Sequence, residues 1–267
     1  MNYPNSVNNM GSGRNVQGCI LSLALSYRIS GDKRYLDRAK AELLQLADVK
    51  NWGTGHFLDV GEACLAAGVG FDWLYNDLNV DEREKIVQAI VQKALLPSLE
   101  VKESENNSSW VNGNFNWNPV CNGGLLVAAL AIAEHEPEIS RKIVERSLKN
   151  IPFAGEAYAP DGSDAEGPSY WSYDTSFYVI TIEALRSVFD TALGLEKMPG
   201  FLMTGDYNNQ MVVLTSEDYN YSDYHVENLN EPIMLWFGRE LNQSDLIQDE
   251  LNDLSRLYEK VTAIRES

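Results

Sequence analysis

Cysteine, histidine and basic side chains are all scarce in this sequence of 267 residues, and each shortage excludes something. The three cysteines (Cys19, Cys64 and Cys121) stand far apart in apolar or Ala/Gly-rich stretches. An odd number without a CxxC pair points to buried free thiols rather than a disulfide framework. Three histidines and no CxxC pair also speak against a structural zinc site. Lys and Arg number 21 against 39 Asp and Glu, a formal charge of -18. That balance speaks against double-stranded nucleic acid and against an anionic membrane surface, because both are held by cations. No apolar run reaches the roughly 18 residues of a membrane-spanning helix. The opening MNYPNSVNNMGSGRN lacks the charged-then-apolar order of a secretory leader. The expectation is a protein that stays inside, or a chain without its native beginning; Arg14, leading straight into a helix, favours the second.

What is present suits a folded, soluble chain: 44% hydrophobic and 22% charged residues, with 13 Tyr and 6 Trp. The pattern is helical almost throughout. Val16 to Ser30 reads as an apolar helix closed by Gly31, and Asp32 caps a second in which Leu36, Ala39, Leu43 and Leu46 recur at helical steps. Phe57 to Tyr75 is dense in Ala and Gly. Asn79 or Asp81 opens an amphipathic helix with Ile86, Ile90 and Ala94 on one stripe and Pro97 just beyond it. Trp117 to Glu134 is again rich in small apolar residues, and Pro137 begins a charged helix to Asn150. After a loop over Ile151 to Gly167 comes Ser169 to Leu195, then weaker stretches at Gly200 to Leu214, Glu231 to Phe237 and Asp245 to Ile264.

Helices apolar all round alternate here with amphipathic ones, and a helix apolar on every face must be enclosed. Strict alternation is what a two-layered ring of antiparallel hairpins requires. The fold class expected is all-α, an (α/α) toroid or incomplete toroid of about five hairpins. The irregular spacing disfavours a tetratricopeptide array with its ~34-residue period.

Two long loops carry polar and aromatic residues, and function tends to sit on loops over rigid scaffolding. ESENNSSWVNGNFNWN (103–118) joins amides to Trp110, Phe115 and Trp117, a mixture suited to sugar hydroxyls and pyranose faces, although Asn and Gly also populate ordinary turns. YAPDGSDAEGPSYWSY (158–173) holds Asp161, Asp164 and Glu166, with Asp174 just after it. Asp161-Gly162 reads as a turn. Tyr170 and Tyr173 share one helix face, above a stripe of Phe177, Ile180, Ala184 and Val188.

FLDVGEACLAAGVGFDWLYNDL, NWNPVCNGGLLVAALAIAE, DGSDAEGPSYWSY and the later YNYSD occur in that order between about Val16 and Gly238. Together they resemble the helical domain of heparinase II/III-like polysaccharide lyases, a group that includes alginate and oligoalginate lyases. The resemblance implies an (α/α) toroid followed by an antiparallel β-sandwich, bacterial periplasmic or secreted location, no cofactor or metal, and an acidic polysaccharide or oligosaccharide as partner. It implies β-elimination at a uronic acid, in which the charge developing on the carboxylate must be stabilised. Carried onto this chain, the carboxylate neutraliser is Asn116, with Asn114 or Asn118 as alternatives, and the proton-transferring phenol is Tyr170, with Tyr173 second. Trp110, Asn114, Trp117, Asn118, Glu166 and Trp171 become substrate-contacting candidates. His56 joins them, although His56 and His135 by themselves read as structural.

The chain departs from the family in two ways. No strand-rich pattern follows Gly238, so residues 1–267 are expected to form one toroid domain, with a β-sandwich or a second copy as the protein partner it would need. His225 does not match the family's sandwich histidine. The acidity opposes long-range steering of a polyanion, which a local cation such as Arg14 or Lys102 would have to offset. Two alternatives stay open. One is an inverting glycoside hydrolase drawing on Asp161, Asp164 and Glu166 with Asp59 or Glu62, two of them about 6.5–9.5 Å apart. The other is a non-catalytic glycan- or protein-binding helical module.

Overall fold

A computed structural model describes residues 12–106, 108–211 and 231–266. Every regular element among the described residues is helical, with no strand, and none of these helices is long and apolar enough to cross a membrane. Helix α1 (Ser12–Ser30) ends where Gly31 takes φ 69° and returns its N–H to Tyr27 O at 2.7 Å. Asp32 then caps α2 (Lys33–Asp48) by accepting from Arg34 N at 2.9 Å, and Leu36, Ala39, Leu43 and Leu46 bury the apolar stripe. Helix α3 (Phe57–Leu74) is buried on nearly every face.

Asn79, not Asp81, caps α4 (Val80–Ile90), in a reciprocal box with Glu82. That helix does not stop before Pro97. A π-helical segment (Val91–Leu95) shifts the bonding so that Leu96 N–H reaches Val91 O, and α5 (Leu96–Glu100) continues with Pro97 in its first turn, where a missing N–H does no harm. Helix α6 (Trp117–Ala131) is enclosed like α3, and α7 (Pro137–Gly155) begins at its proline as expected but runs past Asn150. Burial of Ile151, Ala154 and Gly155, with Ile151 in the cluster of Tyr178 and Gly155 beneath the Tyr178 hydroxyl, offsets the hydrogen bond that Pro152 cannot make. Helix α8 (Pro168–Phe189) stops short of Leu195 because Asp190 turns left-handed, at φ 57°. Helices α9 (Thr204–Met211), α10 (Ile233–Glu240) and α11 (Ser244–Glu266) complete the described chain.

These helices form two layers. In the inner row α1 packs on α3, α3 on α6 and α6 on α8; α2, α4 and α7 lie outside it, and α10 backs α8 while carrying α11. The inner helices run parallel. Their first turns meet through Gly13–Asp59, His56–Trp117 and Asn116–Glu166 contacts, while near their far ends Gly68, Val127, Ile180, Ala184 and Val188 line one apolar cavity of about 380 Å³. Three of the four stripe residues below Tyr173 therefore face an open groove, and only Phe177 is enclosed by Leu65, Val120 and Val127.

The tightest contact is between α3 and α6. A Cβ on Gly61 would lie 2.7 Å from Val120 O, one on Gly68 2.6 Å from Ala128 Cα, and one on Gly124 would strike Gly61 O. Backbone meets backbone there, with nothing flexible to yield. Cys64 and Cys121 are buried free thiols, whereas Cys19 is only half-buried. Gly124→Ala is expected to lower the unfolding free energy by about 2–3 kcal/mol in denaturant titrations. Gly18→Ala, at an exposed position of α1 with nothing within 4 Å, should instead raise it by about 0.5–1 kcal/mol.

Candidate functional site

The parallel inner row gathers four helix starts at one end of the molecule. Glu62, on the second turn of α3, has a side chain only 3% exposed. It accepts from Arg14 Nε at 3.2 Å and from the Tyr173 hydroxyl at 2.6 Å, while the Arg14 guanidinium lies over the Tyr173 ring at 4.2 Å. One turn earlier Asp59 accepts from Gly13 N at 3.4 Å and lies 3.1 Å from His56 Nδ1; the His56 ring meets Trp117 edge-on at 4.9 Å.

Burial raises the pKa of Glu62, opposed by its bonds to Tyr173 and Arg14. Burial, followed by the charge and hydrogen bond of Glu62, pushes the Tyr173 phenol far above its ordinary value. Tyr173 therefore keeps its proton and directs it to Glu62. The positive ends of the inner helices partly compensate the acids collected here.

Asn116 stands at the N-cap position of α6 but caps nothing. Its side chain turns across to the loop before α8, where Nδ2 donates to Glu166 Oε2 at 2.5 Å. Its Oδ1 is buried and has no hydrogen-bond partner among the described residues. Asn122 Oδ1 and Asn150 Oδ1 are in the same state, and what sets Asn116 apart is its place beside Glu166 at the helix starts. Glu166 is held by its own N–H, which donates to Asp164 Oδ1 at 2.7 Å. Asp164 is pushed up to about 6, chiefly by burial, with its bond to Glu166 N–H opposing and the charge of Glu166 adding. Asp174, which is buried, is raised as well, by burial and then by the charge of Asp164.

Of the residues marked from the sequence, Asn116 and Glu166 are in direct contact, Tyr173 sits on Glu62, and His56 touches Trp117. Tyr170 occupies the first turn of α8, one turn before Tyr173; it is half-buried and its hydroxyl has no partner among the described residues. Others are placed elsewhere. Trp171 is wholly buried, stacked on Phe237 with Nε1 donating to Thr204 Oγ1, so no ring face is open to a sugar. Asn118 is equally enclosed and spends its amide on Gly113 O and Asn150 O, bracing the 103–118 loop. Trp110 stacks on Phe57 beneath Arg146. Asn114 is exposed on the loop.

Asp161 holds a turn by accepting from Ser163 N and Oγ. YNYSD (219–223) and His225 lie outside the described residues.

Glu62 as the partner of Tyr173 is the feature sequence reasoning missed. Its signal was two acids three positions apart, Asp59 and Glu62, in a helix otherwise apolar enough to be enclosed. Among the described residues no group of three or more His, Cys, Asp or Glu side chains is placed to hold a metal ion. No known family model matches the chain, and no curated protein matches it.

Asp164 gives the site a signature in stability. Its folded pKa lies above the roughly 3.9 of an unfolded Asp, so the folded state binds the extra proton and ionised Asp164 opposes folding. That penalty is fully present above pH 6 and vanishes as pH falls to about 4. Asp164→Asn is expected to raise the unfolding free energy by on the order of 2 kcal/mol at pH 8 and by almost nothing at pH 4. Denaturant titrations at the two pH values check this; an equal gain at both would contradict it.

Proposed function

We propose that this chain is an (α/α) toroid, or an arc of one, of the heparinase II/III-like lyase type, and that it acts on uronic-acid-containing polysaccharide by β-elimination. The observation that carries the reading is the Asn116–Glu166 bond at the foot of the helix bearing Tyr170 and Tyr173. An amide from α6 already grips a carboxylate here, and Asn116 Oδ1 has no donor among the described residues of the kind a sugar hydroxyl would supply.

On this reading a uronate carboxylate takes the place of Glu166 on Asn116 Nδ2. The C5–H bond breaks, the electron pair forms C4=C5, and the C4–O bond to the leaving sugar opens. Asn116 stabilises the charge that gathers on the carboxylate as the C5 proton leaves. The Tyr170 oxygen takes the C5 proton as its own hydroxyl proton passes to the leaving C4 oxygen, so one phenol serves as base and then acid. Tyr173, kept protonated by its surroundings, is the second donor. A neutral amide alone compensates a buried carboxylate poorly, so a further donor is required beside it.

A second reading, inverting glycoside hydrolysis, is favoured by the pair of acids with raised pKa values, Asp164 and Glu62, since such a mechanism needs a carboxyl that stays protonated.

One assay separates the two. The protein is incubated with alginate, hyaluronan, chondroitin and heparan oligosaccharides while near-ultraviolet absorbance and reducing ends are followed. The lyase reading predicts a rise in absorbance from the C4=C5 product, lowered about 10²- to 10⁴-fold in kcat by Asn116→Ala or Tyr170→Phe. Reducing ends without absorbance would establish the hydrolase, and binding without any product a carbohydrate-binding module.

A further inference from the structure

We propose that Arg14 is a specificity-determining residue of this site, reading the carboxylate of the sugar unit next to the one held by Asn116. The inference deepens the lyase reading and rests on it.

The site confronts an anionic substrate with a problem. Asp59, Glu62, Asp164, Glu166 and Asp174 all lie around the starts of α3 and α8, on a chain whose formal charge is -18. The field of the whole protein repels a polyuronate, so recognition must come from a cation fixed within reach of the reacting sugar. Lys102 does not supply it: it is exposed on the 103–118 side, where its carbonyl accepts from Ser109 Oγ. Arg14 is in the right place. It touches Tyr173, one turn from Tyr170, and Glu62, one turn from the Asp59–His56–Trp117 group.

Its geometry is that of a reader. Glu62, which is buried, takes Nε, and the ring of the half-buried Tyr173 supports the guanidinium plane, so two neighbours fix the orientation. The side chain is nonetheless 62% exposed, and the bond through Nε leaves both Nη groups unspent on Glu62. A guanidinium held in one plane by its bonds to Glu62 and Tyr173, and still exposed, suits bidentate pairing with a carboxylate, which a lysine ammonium cannot reproduce. Glu62 is then a positioning residue: it orients both Arg14 and Tyr173 without touching substrate.

The test compares uronic-acid oligosaccharides with their methyl esters, which keep the sugar and remove the charge, using the wild-type protein, Arg14→Gln and Arg14→Lys. Arg14→Gln is expected to lower kcat/KM for the acid about 10- to 100-fold, mainly through KM, and to leave the ester within about threefold. Arg14→Lys should fall between wild type and Arg14→Gln on the acid. Equal losses on acid and ester would reduce Arg14 to a structural link between α1, α3 and α8 and overturn the proposal, as would no loss on either. If the wild-type protein cleaves no uronic-acid substrate, the lyase reading falls and the proposal with it. Cleavage by the wild type with equal losses in the variant overturns Arg14's role alone.

Discussion

The contact on which the rest depends is backbone against backbone where α3 crosses α6. Gly61, Gly68 and Gly124 remove the side chains at the points where the two inner helices come closest, so their main chains meet there. Close approach sets the register between them, and register decides which residues of each first turn face the same volume. With α1 packed on one side of α3 and α8 on the other side of α6, the starts of all four fall together. An extra methyl group in this seam would move an entire helix start, because the interior has no soft side chain to absorb it.

The same seam makes the acids of α3 expensive and useful. Asp59 and Glu62 are buried in an enclosed helix, where an ionised carboxyl is tolerated only with partners. Each has them from outside its own element: Gly13 N–H for Asp59, Arg14 and Tyr173 for Glu62. The acids thereby tie α1 and α8 to α3, and the packing that holds them also tunes them. Burial keeps the proton on Tyr173 and raises Asp164, while Glu62, also raised by burial, is opposed in this by its bonds to Arg14 and Tyr173.

Much of the helical order was legible from local chemistry. Gly31, Asp32, Asn79 and Pro137 each mark a boundary through a physical preference that operates within a few residues, and the alternation of enclosed with amphipathic helices marks the two layers. The errors fall where tertiary packing overrides local rules. The sequence pattern places Pro97 beyond the end of its helix and makes residues 151–167 a loop, yet a π-turn accommodates the proline and burial of Ile151, Ala154 and Gly155 carries the other helix on. Candidate residues show the same division. Asn116, Glu166 and Tyr173 stand at the helix starts, where their loops placed them. Trp171 lies between Tyr170 and Tyr173 but projects about 100° away on the helix, into the α8–α10 core. The partnership of Glu62 with a tyrosine 111 positions later has no local signature at all.

That partnership offers the most direct measurement of the account. Glu62→Gln, Tyr173→Phe and the double variant form a cycle whose interaction energy reports whether the starts of α3 and α8 meet. The structure predicts coupling of about 1–3 kcal/mol in unfolding free energy, as for a buried hydrogen bond to a charged group. Effects that add to within about 0.3 kcal/mol would mean the two side chains do not touch, and the gathering of helix starts into one site would be wrong.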